Sequence, residues 1–218
     1  MVIFDCNGVL VDSEPLATAI VSEEFMRAGF PLTPDIVARY FTGRRTSDMF
    51  AEVEIAAGRK LPAGFAATVA GATLRRFRAE LRATHHMALA LSWLRGPKCV
   101  ASSSSIDRIR VSLECTDLIR FFDPHLFSAS EVRKGKPAPD LFLHAATKTR
   151  VRPGECIVVE DSVVGVAAAV AAGMTVIGFA GGSHAGSQLD NHLRAAGART
   201  VISDMRALTG AVIELRGW

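Results

Sequence analysis

The sequence lacks an apolar segment long enough to cross a membrane. Its longest apolar run, residues 163–174, is rich in alanine and contains glycine. That run is much shorter than the roughly 20 apolar residues that a membrane-spanning helix needs. The segment MVIF before Asp5 is also too short for the apolar region of a secretion signal. These observations predict a cytoplasmic protein with no membrane partner.

Cysteines and clustered basic residues are scarce as well. The four cysteines form no CxxC pair, which is typical of small buried side chains in a reducing compartment. The net charge is +3, no basic run exceeds two residues, and aromatic residues do not alternate with basic ones, so we expect no nucleic-acid partner. With 218 residues, 49% of them hydrophobic, the chain can form one large domain or a domain with a smaller insert.

Short β-branched runs alternate with helical patterns over most of the chain. This alternation predicts an α/β fold, a Rossmann-like parallel sheet with helices on both faces. Glycine after the helical patterns at Gly173 and Gly197 is typical of helix ends. The predicted strands are 2–4, 98–101, 156–159, 175–178 and 200–202, and the predicted helices between them are 105–115, 140–149, 162–172 and 187–196.

Residues 13–82 interrupt the alternation, because they contain only helical patterns (15–28, 34–39, 47–57 and 64–82). We therefore predict a helical cap domain over residues 13–82, inserted into an α/β core domain formed by residues 1–12 and 83–218. The cap would cover the carboxyl ends of the strands, which is the edge where open α/β sheets bind ligands.

Four polar segments fall at or just after predicted strand ends: FDCNGV (4–9), VASSSS (100–105), GKPAPD (135–140) and VEDS (159–162). Each has a simple structural explanation as a turn or a helix cap. Together they offer carboxylates, which are hard oxygen ligands for Mg²⁺, with hydroxyls and a lysine ammonium that can hold phosphoryl oxygens. The combination predicts a magnesium-dependent site for a small phosphorylated metabolite.

The same segments resemble the haloacid dehalogenase (HAD) superfamily, in the helical-cap branch that includes β-phosphoglucomutase and sugar-phosphate phosphatases. The resemblance covers nearly the whole chain and is most specific in FDxxGVLVDSE, GKPAPD and VVEDSxxGVxAAxAAGM. It implies a magnesium-dependent phosphomonoester hydrolase of a small metabolite, such as a sugar phosphate. Such enzymes form an aspartyl-phosphate intermediate.

The resemblance also implies roles for individual residues. Asp5 is the expected nucleophile, and Ser102 and Lys136 are expected to bind phosphate, with Ser103 as a further phosphate donor. The expected metal ligands are Asp5, the backbone carbonyl of Asn7, Glu160 and Asp161. Arg44 or Arg45 lies where related proteins place a substrate loop, although either arginine could equally be solvated. We expect a monomer or weak dimer.

Asn7 departs from the family pattern, in which an aspartate at this position protonates the leaving oxygen and later activates water. An amide cannot exchange protons near neutral pH, and the loss of a general acid–base typically costs about 10²–10⁴-fold in rate. Three explanations remain open: a deliberate Asp→Asn change that traps a complex, a natural homologue that is slow or only binds its ligand, and dehalogenase-like chemistry without metal. The retained Glu160 and Asp161 argue against the third explanation.

Hydrolysis and phosphoryl transfer within one substrate are the two main alternatives for the reaction. Related mutases carry a histidine in the first cap helix, and the corresponding segment here, EPLATA (14–19), has none. Its absence favours a phosphatase over a phosphomutase.

The Asn7–Gly8 dipeptide is prone to deamidation. We predict that aged samples regain slight activity, because deamidation converts Asn7 into an acidic residue. Intact-mass measurement checks this prediction, and an aged sample without a fraction heavier by about one dalton contradicts it.

Overall fold

The computed structural model describes residues 1–41 and 45–217. Within this part of the chain, six parallel strands form one sheet in the order β3-β2-β1-β4-β5-β6. The parallel sheet and the helices around it confirm the predicted α/β class. The strands are β1 (Val2–Phe4), β2 (Lys98–Ser102), β3 (Leu126–Ser128), β4 (Ile157–Glu160), β5 (Thr175–Phe179) and β6 (Thr200–Ile202).

β1 lies in the middle of the sheet, with β2 and β3 on one side and β4, β5 and β6 on the other. The chain therefore changes sides at β1, between β3 and β4. β1 pairs with β2 on one side, where Ile3 is opposite Cys99, and with β4 on the other, where Ile3 is opposite Val158. A reversal of this kind opens a crevice at the carboxyl ends of the central strands, where α/β proteins bind ligands. The end of β1 therefore points to the site.

Both faces of the sheet are buried, as is typical of parallel sheets. Phe4 belongs to an apolar cluster with residues of α5 (Met87–Trp93), α6 (Ile106–Cys115) and α10 (Leu208–Arg216). Ile20, Ala72 and Phe77, from the helical segment between β1 and α5, also belong to this cluster. Ile3, which alternates with Phe4 along the strand, belongs to a second cluster with residues of α7 (Asp140–Thr149), α8 (Val163–Ala171) and α9 (Leu189–Ala195). The opposite directions of neighbouring side chains in a strand produce this division.

Four helices lie between β1 and α5: α1 (Glu14–Arg27), α2 (Pro34–Phe41), α3 (Thr46–Ala57) and α4 (Phe65–Glu80). They share an apolar cluster of their own, centred on Phe25, whose ring is in contact with the rings of Phe30, Phe50 and Phe65. A separate cluster is what an independent cap needs in order to fold. The division into a 13–82 cap and a core stays a prediction.

The structure contains three elements that the sequence patterns did not predict: β3, α5 and α10. β3 has three residues, too few to show a strand periodicity, and it follows a turn at Asp123–Pro124. α5 has seven residues and no acidic residue in its first turn, so it lacks a recognisable start signal. The other strands and helices lie within a few residues of their predicted positions.

The cysteines differ in their surroundings. Cys6, Cys99 and Cys156 are buried and free, as predicted, whereas Cys115 is free and exposed at the end of α6. Among the described residues, no helix combines the length and the apolar character needed to cross a membrane.

We predict that Phe25→Ala lowers the free energy of unfolding by about 3–5 kcal/mol, because it leaves a cavity among three aromatic rings. Chemical denaturation monitored by circular dichroism measures this loss. Met26→Ala, at the neighbouring exposed position, is the control and should change the free energy by less than about 0.5 kcal/mol. Equal losses in the two variants would show that the Phe25 cluster does not stabilise these helices.

Candidate active site

Asp5 directly follows the central strand β1 and is buried, with 6% of its surface exposed. Its backbone N–H donates a hydrogen bond to the carbonyl of Val159 in β4 at 3.0 Å, which continues the sheet pairing past the last residue of β1. The carboxylate is thereby fixed at the crevice between β1 and β4.

Lys136 reaches this carboxylate from the loop before α7. Its Nζ donates to Asp5 Oδ1 at 2.6 Å and also to Glu160 Oε1, and only 1% of the lysine side chain is exposed. Burial by itself lowers the pKa of Lys136, but Asp5 and Glu160 outweigh this effect and raise the pKa above its ordinary value. The lysine is therefore a permanent cation between two carboxylates.

Glu160 and Asp161 lie at the end of β4, beside β1. Glu160 Oε2 accepts hydrogen bonds from the backbone N–H of Ser162 at 2.9 Å and from its hydroxyl at 3.0 Å. Both Glu160 oxygens therefore have protein donors, since Oε1 accepts from Lys136. A side chain at Gly165 would collide with this carboxylate, so the glycine at that position permits its placement.

One carboxylate oxygen from each of Asp5, Glu160 and Asp161 lies within 4.8 Å of the other two. When ionised, three carboxylates and one lysine carry a net charge of −2, which a divalent cation neutralises. Burial raises the pKa of Asp5 well above its ordinary value, against the opposing effect of Lys136, and raises that of Asp161 to about 7. Asp161 Oδ2 is buried and accepts no hydrogen bond from the described residues. This donor set of hard oxygens fits Mg²⁺.

His184 lies beside Asp161, in the loop after β5. Its Nε2 is 3.0 Å from Asp161 Oδ2, yet neither atom has an aligned hydrogen bond to a described residue. Burial lowers the pKa of His184, but the neighbouring Asp161 outweighs this effect and raises it. The loop around His184 is fixed by Ser183, which donates to Asp12 Oδ1 through its hydroxyl at 2.7 Å.

Asn7 and the serine run lie in the same region. Asn7 Nδ2 donates to Ser104 Oγ at 2.8 Å, whereas Asn7 Oδ1 is buried without a partner among the described residues. Ser102 is fully buried at the end of β2, and its hydroxyl accepts from the N–H of Ser104 at 3.3 Å. Ser103 is half-buried. The structure thus brings the four predicted segments together.

Part of this region forms the wall of a cleft, which has about 690 Å³ of empty volume including open solvent. One side consists of Asp5, Asn7, Asp161 and the serines 102–104, and the other consists of residues from α1, α2 and α3. The cleft therefore lies between the strand ends and the four helices of residues 14–80.

The structure describes only one of the two arginines predicted for the substrate loop. Arg44 lies outside the described residues. Arg45 lines the cleft, but its guanidinium donates to backbone carbonyls of the loop that precedes Lys136, those of Ala129, Val132 and Arg133. Contact between Arg45 and a substrate stays a prediction.

Comparison with known proteins places this geometry in a family. A model of the haloacid dehalogenase-like hydrolase family matches residues 1–173. The chain belongs to this family.

Relatives within the family include characterised phosphatases. The chain is 33% identical to the 6-phosphogluconate phosphatase of Escherichia coli over 184 residues, 84% of this chain and 83% of that protein. It is 30% identical to a phosphorylated carbohydrates phosphatase of Thermotoga maritima over 179 residues, 79% of this chain and 81% of that protein. The crystal structure of a haloacid dehalogenase-like protein of unknown function from Agrobacterium tumefaciens matches with a TM-score of 0.82 and 38% identity, covering 100% of this chain and 98% of that one.

Three residues beside the carboxylate cluster or in the cleft wall were not singled out from the sequence: Ser104, Arg108 and His184. Ser104 belongs to the serine run that we recognised, but its contact with Asn7 depends on the fold. His184 follows the predicted strand β5, so the same strand-end rule that found Asp5 could have found it. Arg108 lines the cleft from the first turn of α6, and only the position of that helix reveals it.

We predict that MgCl₂ raises the melting temperature, because the cation binds the folded carboxylate cluster and not the unfolded chain. At ten times the dissociation constant, the gain is about 1.4 kcal/mol, or roughly 3–6 °C for a protein of this size. Differential scanning calorimetry measures the shift. Asp161→Asn should reduce it strongly, whereas Asp190→Asn, at an exposed position on α9, should not. An equal shift in all three proteins would contradict magnesium binding at this cluster.

Proposed function

We propose that this chain is a magnesium-dependent phosphomonoester hydrolase that acts on a small phosphorylated sugar through an aspartyl-phosphate at Asp5. The observation that carries the proposal is the buried ion pair of Asp5 with Lys136, 2.6 Å apart, beside Glu160 and Asp161 and in one cleft with Ser102. This set supplies a nucleophile, a cation for phosphoryl oxygens and hard metal ligands in one place.

In the first step, an oxygen of Asp5 forms a bond to phosphorus, and the ester oxygen departs with the electron pair of the broken bond. Lys136 neutralises the approaching negative charge and holds Asp5 in position, since it already donates to Oδ1. The Ser102 hydroxyl, and Ser103 beside it, donate to phosphoryl oxygens. In the second step, water attacks the phosphorus atom and the bond from phosphorus to the Asp5 oxygen breaks, which releases phosphate and the Asp5 carboxylate. With Asn7 in place, the attacking water gives its proton to solvent, and the departed alkoxide takes a proton from solvent.

Asp5, Asp161 and the backbone carbonyl of Asn7 would hold the Mg²⁺ ion. When bound, the ion neutralises the negative charge shared by the nucleophile and the phosphoryl group. We assign Glu160 a positioning role rather than the direct ligation expected from the sequence, because both of its oxygens accept hydrogen bonds from Lys136 and Ser162. Glu160 thus orients Lys136 toward Asp5.

The sugar-phosphate class rests on the relatives. The matched proteins from E. coli and T. maritima are named for phosphatase activity on 6-phosphogluconate and on phosphorylated carbohydrates. The cleft lies between the strand ends and the helices α1, α2 and α3, so a metabolite bound at Asp5 would contact residues of both. The absence of a histidine from α1 favours hydrolysis over a β-phosphoglucomutase-like reaction.

Asn7 limits the rate in this proposal. Its amide cannot protonate an alkoxide leaving group or deprotonate the attacking water, so both steps lack a proton carrier at this position. The chain as it stands is therefore a slow phosphatase, or a homologue that binds a phosphometabolite without turnover. Activity measurements distinguish these two functions.

We predict that Asn7→Asp raises the rate of sugar-phosphate hydrolysis by about 10²–10⁴-fold in the presence of MgCl₂, because it restores a general acid–base. Phosphate release from a panel of sugar phosphates measures the effect. Asn191→Asp, on exposed α9, is the matched control and should leave the rate unchanged. Adding Asp5→Asn to the Asn7→Asp protein should abolish hydrolysis, and persistent activity there would exclude Asp5 as the nucleophile.

A substrate whose leaving group needs no proton separates the first step of the reaction from the second. p-Nitrophenolate departs without protonation, so the unaltered chain should release a burst of about one p-nitrophenolate per molecule and then turn over slowly. Stopped-flow absorbance records the burst, and acid quenching traps the phosphorylated protein for mass spectrometry. If neither protein hydrolyses any ester but both bind sugar phosphates, the binding function replaces the enzymatic one.

A further inference from the structure

Two cations of the described chain line the cleft beside Asp5, Asn7 and Asp161: Arg45 and Arg108. They differ in what their guanidinium groups contact. Arg45 donates to three backbone carbonyls of the loop before Lys136, which connects the start of α3 to the core. These hydrogen bonds connect the start of α3 to the loop before Lys136 and use donors that Arg45 could otherwise offer to a ligand.

Arg108 has no such partners. Within residues 1–41 and 45–217, its guanidinium makes no hydrogen bond and no ion pair, and its Nε is buried and unpartnered. The side chain is held from one side by the ring of Phe77 in α4, whose centroid is 4.9 Å from Arg108 Cζ. A buried donor without a partner costs roughly 1–3 kcal/mol, and more when it is charged. This cost is recovered if a ligand provides the acceptor.

The position of Arg108 is fixed by the backbone as well as by Phe77. Its N–H donates to the hydroxyl of Ser105, the residue that caps the start of α6. The same short segment connects β2 to α6 and carries the serines 102–104, which face the proposed phosphate position. Arg108 therefore lies in the wall of the cleft that holds the phosphate-binding serines, and the fold orients both groups together.

Two acidic residues of the same cleft wall, Glu14 and Asp5, act on Arg108 electrostatically without pairing with it. Burial lowers the pKa of Arg108 and both acids oppose this effect, but no ion pair joins Glu14 to Arg108 among the described residues. Asp5 is also in the cleft wall, but its carboxylate is paired with Lys136. Arg108 also lines a second, larger cavity with about 1,800 Å³ of empty volume, bordered by α3 and α4. A substrate bound at Asp5 thus has room to extend past Arg108.

We propose that Arg108 is a specificity-determining residue that binds a second anionic group, a carboxylate or a second phosphate, of a substrate whose first phosphate lies at Asp5. The guanidinium fork matches either anion in a bidentate arrangement. The preferred substrates are therefore phosphorylated sugar acids or sugar bisphosphates rather than neutral sugar monophosphates. This inference rests on the proposed phosphatase function of the same site.

Three ligands with one carbon skeleton test the inference: glucitol 6-phosphate, gluconate 6-phosphate and glucitol 1,6-bisphosphate. They differ at C1, which carries a hydroxyl, a carboxylate or a phosphate. Isothermal titration calorimetry on the unaltered chain with MgCl₂ suits all three, because Asn7 slows their hydrolysis. At least one of the two ligands with a second anionic group should bind about 10- to 100-fold more tightly than glucitol 6-phosphate, as expected for a charge-assisted hydrogen-bonded pair.

Substitution assigns this preference to Arg108. Arg108→Gln should remove the 10- to 100-fold preference while changing the affinity for glucitol 6-phosphate less than threefold, and Arg108→Lys should keep part of it. Arg110→Gln is the matched control, because Arg110 lies on the same helix, exposed and paired with Asp123. Each Arg108 variant should melt at about the same temperature as the Arg110→Gln protein, which verifies that the variant is folded.

The outcomes separate this inference from the function on which it rests. If inorganic phosphate binds, and Lys136→Met abolishes that binding, the phosphate site stands. Equal affinities for the three ligands would then overturn the role of Arg108 alone. If inorganic phosphate and the three ligands all fail to bind, the proposed function fails together with the inference. Whichever of the two ligands with a second anionic group depends on Arg108 identifies that group as a carboxylate or a phosphate.

Discussion

The buried ion pair between Asp5 and Lys136 is the interaction on which the site depends. Each of these groups would be very costly to bury alone, because charged groups lose their hydration inside a protein. Lys136 offsets part of that cost for Asp5 and Glu160 at once, yet three carboxylates remain against one ammonium. The folded chain therefore gathers more carboxylates than cations, and full ionisation of the cluster needs a further positive charge. A divalent cation would supply that charge, so the imbalance that lowers stability would also favour ion binding.

The backbone around these carboxylates is adapted to their close approach. Gly8 has a φ of +74°, a conformation that other residues adopt only with strain, and a Cβ at this position would overlap Asp161. A Cβ at Gly165, near the start of α8, would likewise overlap Glu160. Both glycines let loop and helix backbone reach charged side chains directly. A larger residue at Gly8 would displace the Asp161 carboxylate, and one at Gly165 would displace that of Glu160.

Much of the fold and part of the site were predictable, because the relevant signals are local. A buried strand followed by a polar residue is visible at Asp5, at Ser102 and at Glu160, and parallel strands bring such ends to one edge. Lys136 was recognised by its motif rather than by this rule, since the preceding strand β3 has three residues and no visible pattern. Arg108 could not be recognised at all. Its importance comes from the lack of a partner, which is a property of the packing of α4 against α6 and has no sequence signal.

The carboxylate cluster and the Arg108 guanidinium lie in different parts of the cleft wall, and Asn7 bears on both. The carboxylates gather beside β1 and β4, where a metal ion fits, whereas the unpaired guanidinium of Arg108 lies on the wall formed by α6. A substrate with two anionic ends can satisfy both regions, one end through the metal and Lys136 and the other through Arg108. Asn7 lies in the same cleft and is neutral, so it adds no negative charge to repel such a substrate. An aspartate there would supply a proton but increase the repulsion. Within the proposed function, the asparagine would therefore lower turnover and, by the same loss of charge, reduce the repulsion of an anionic ligand.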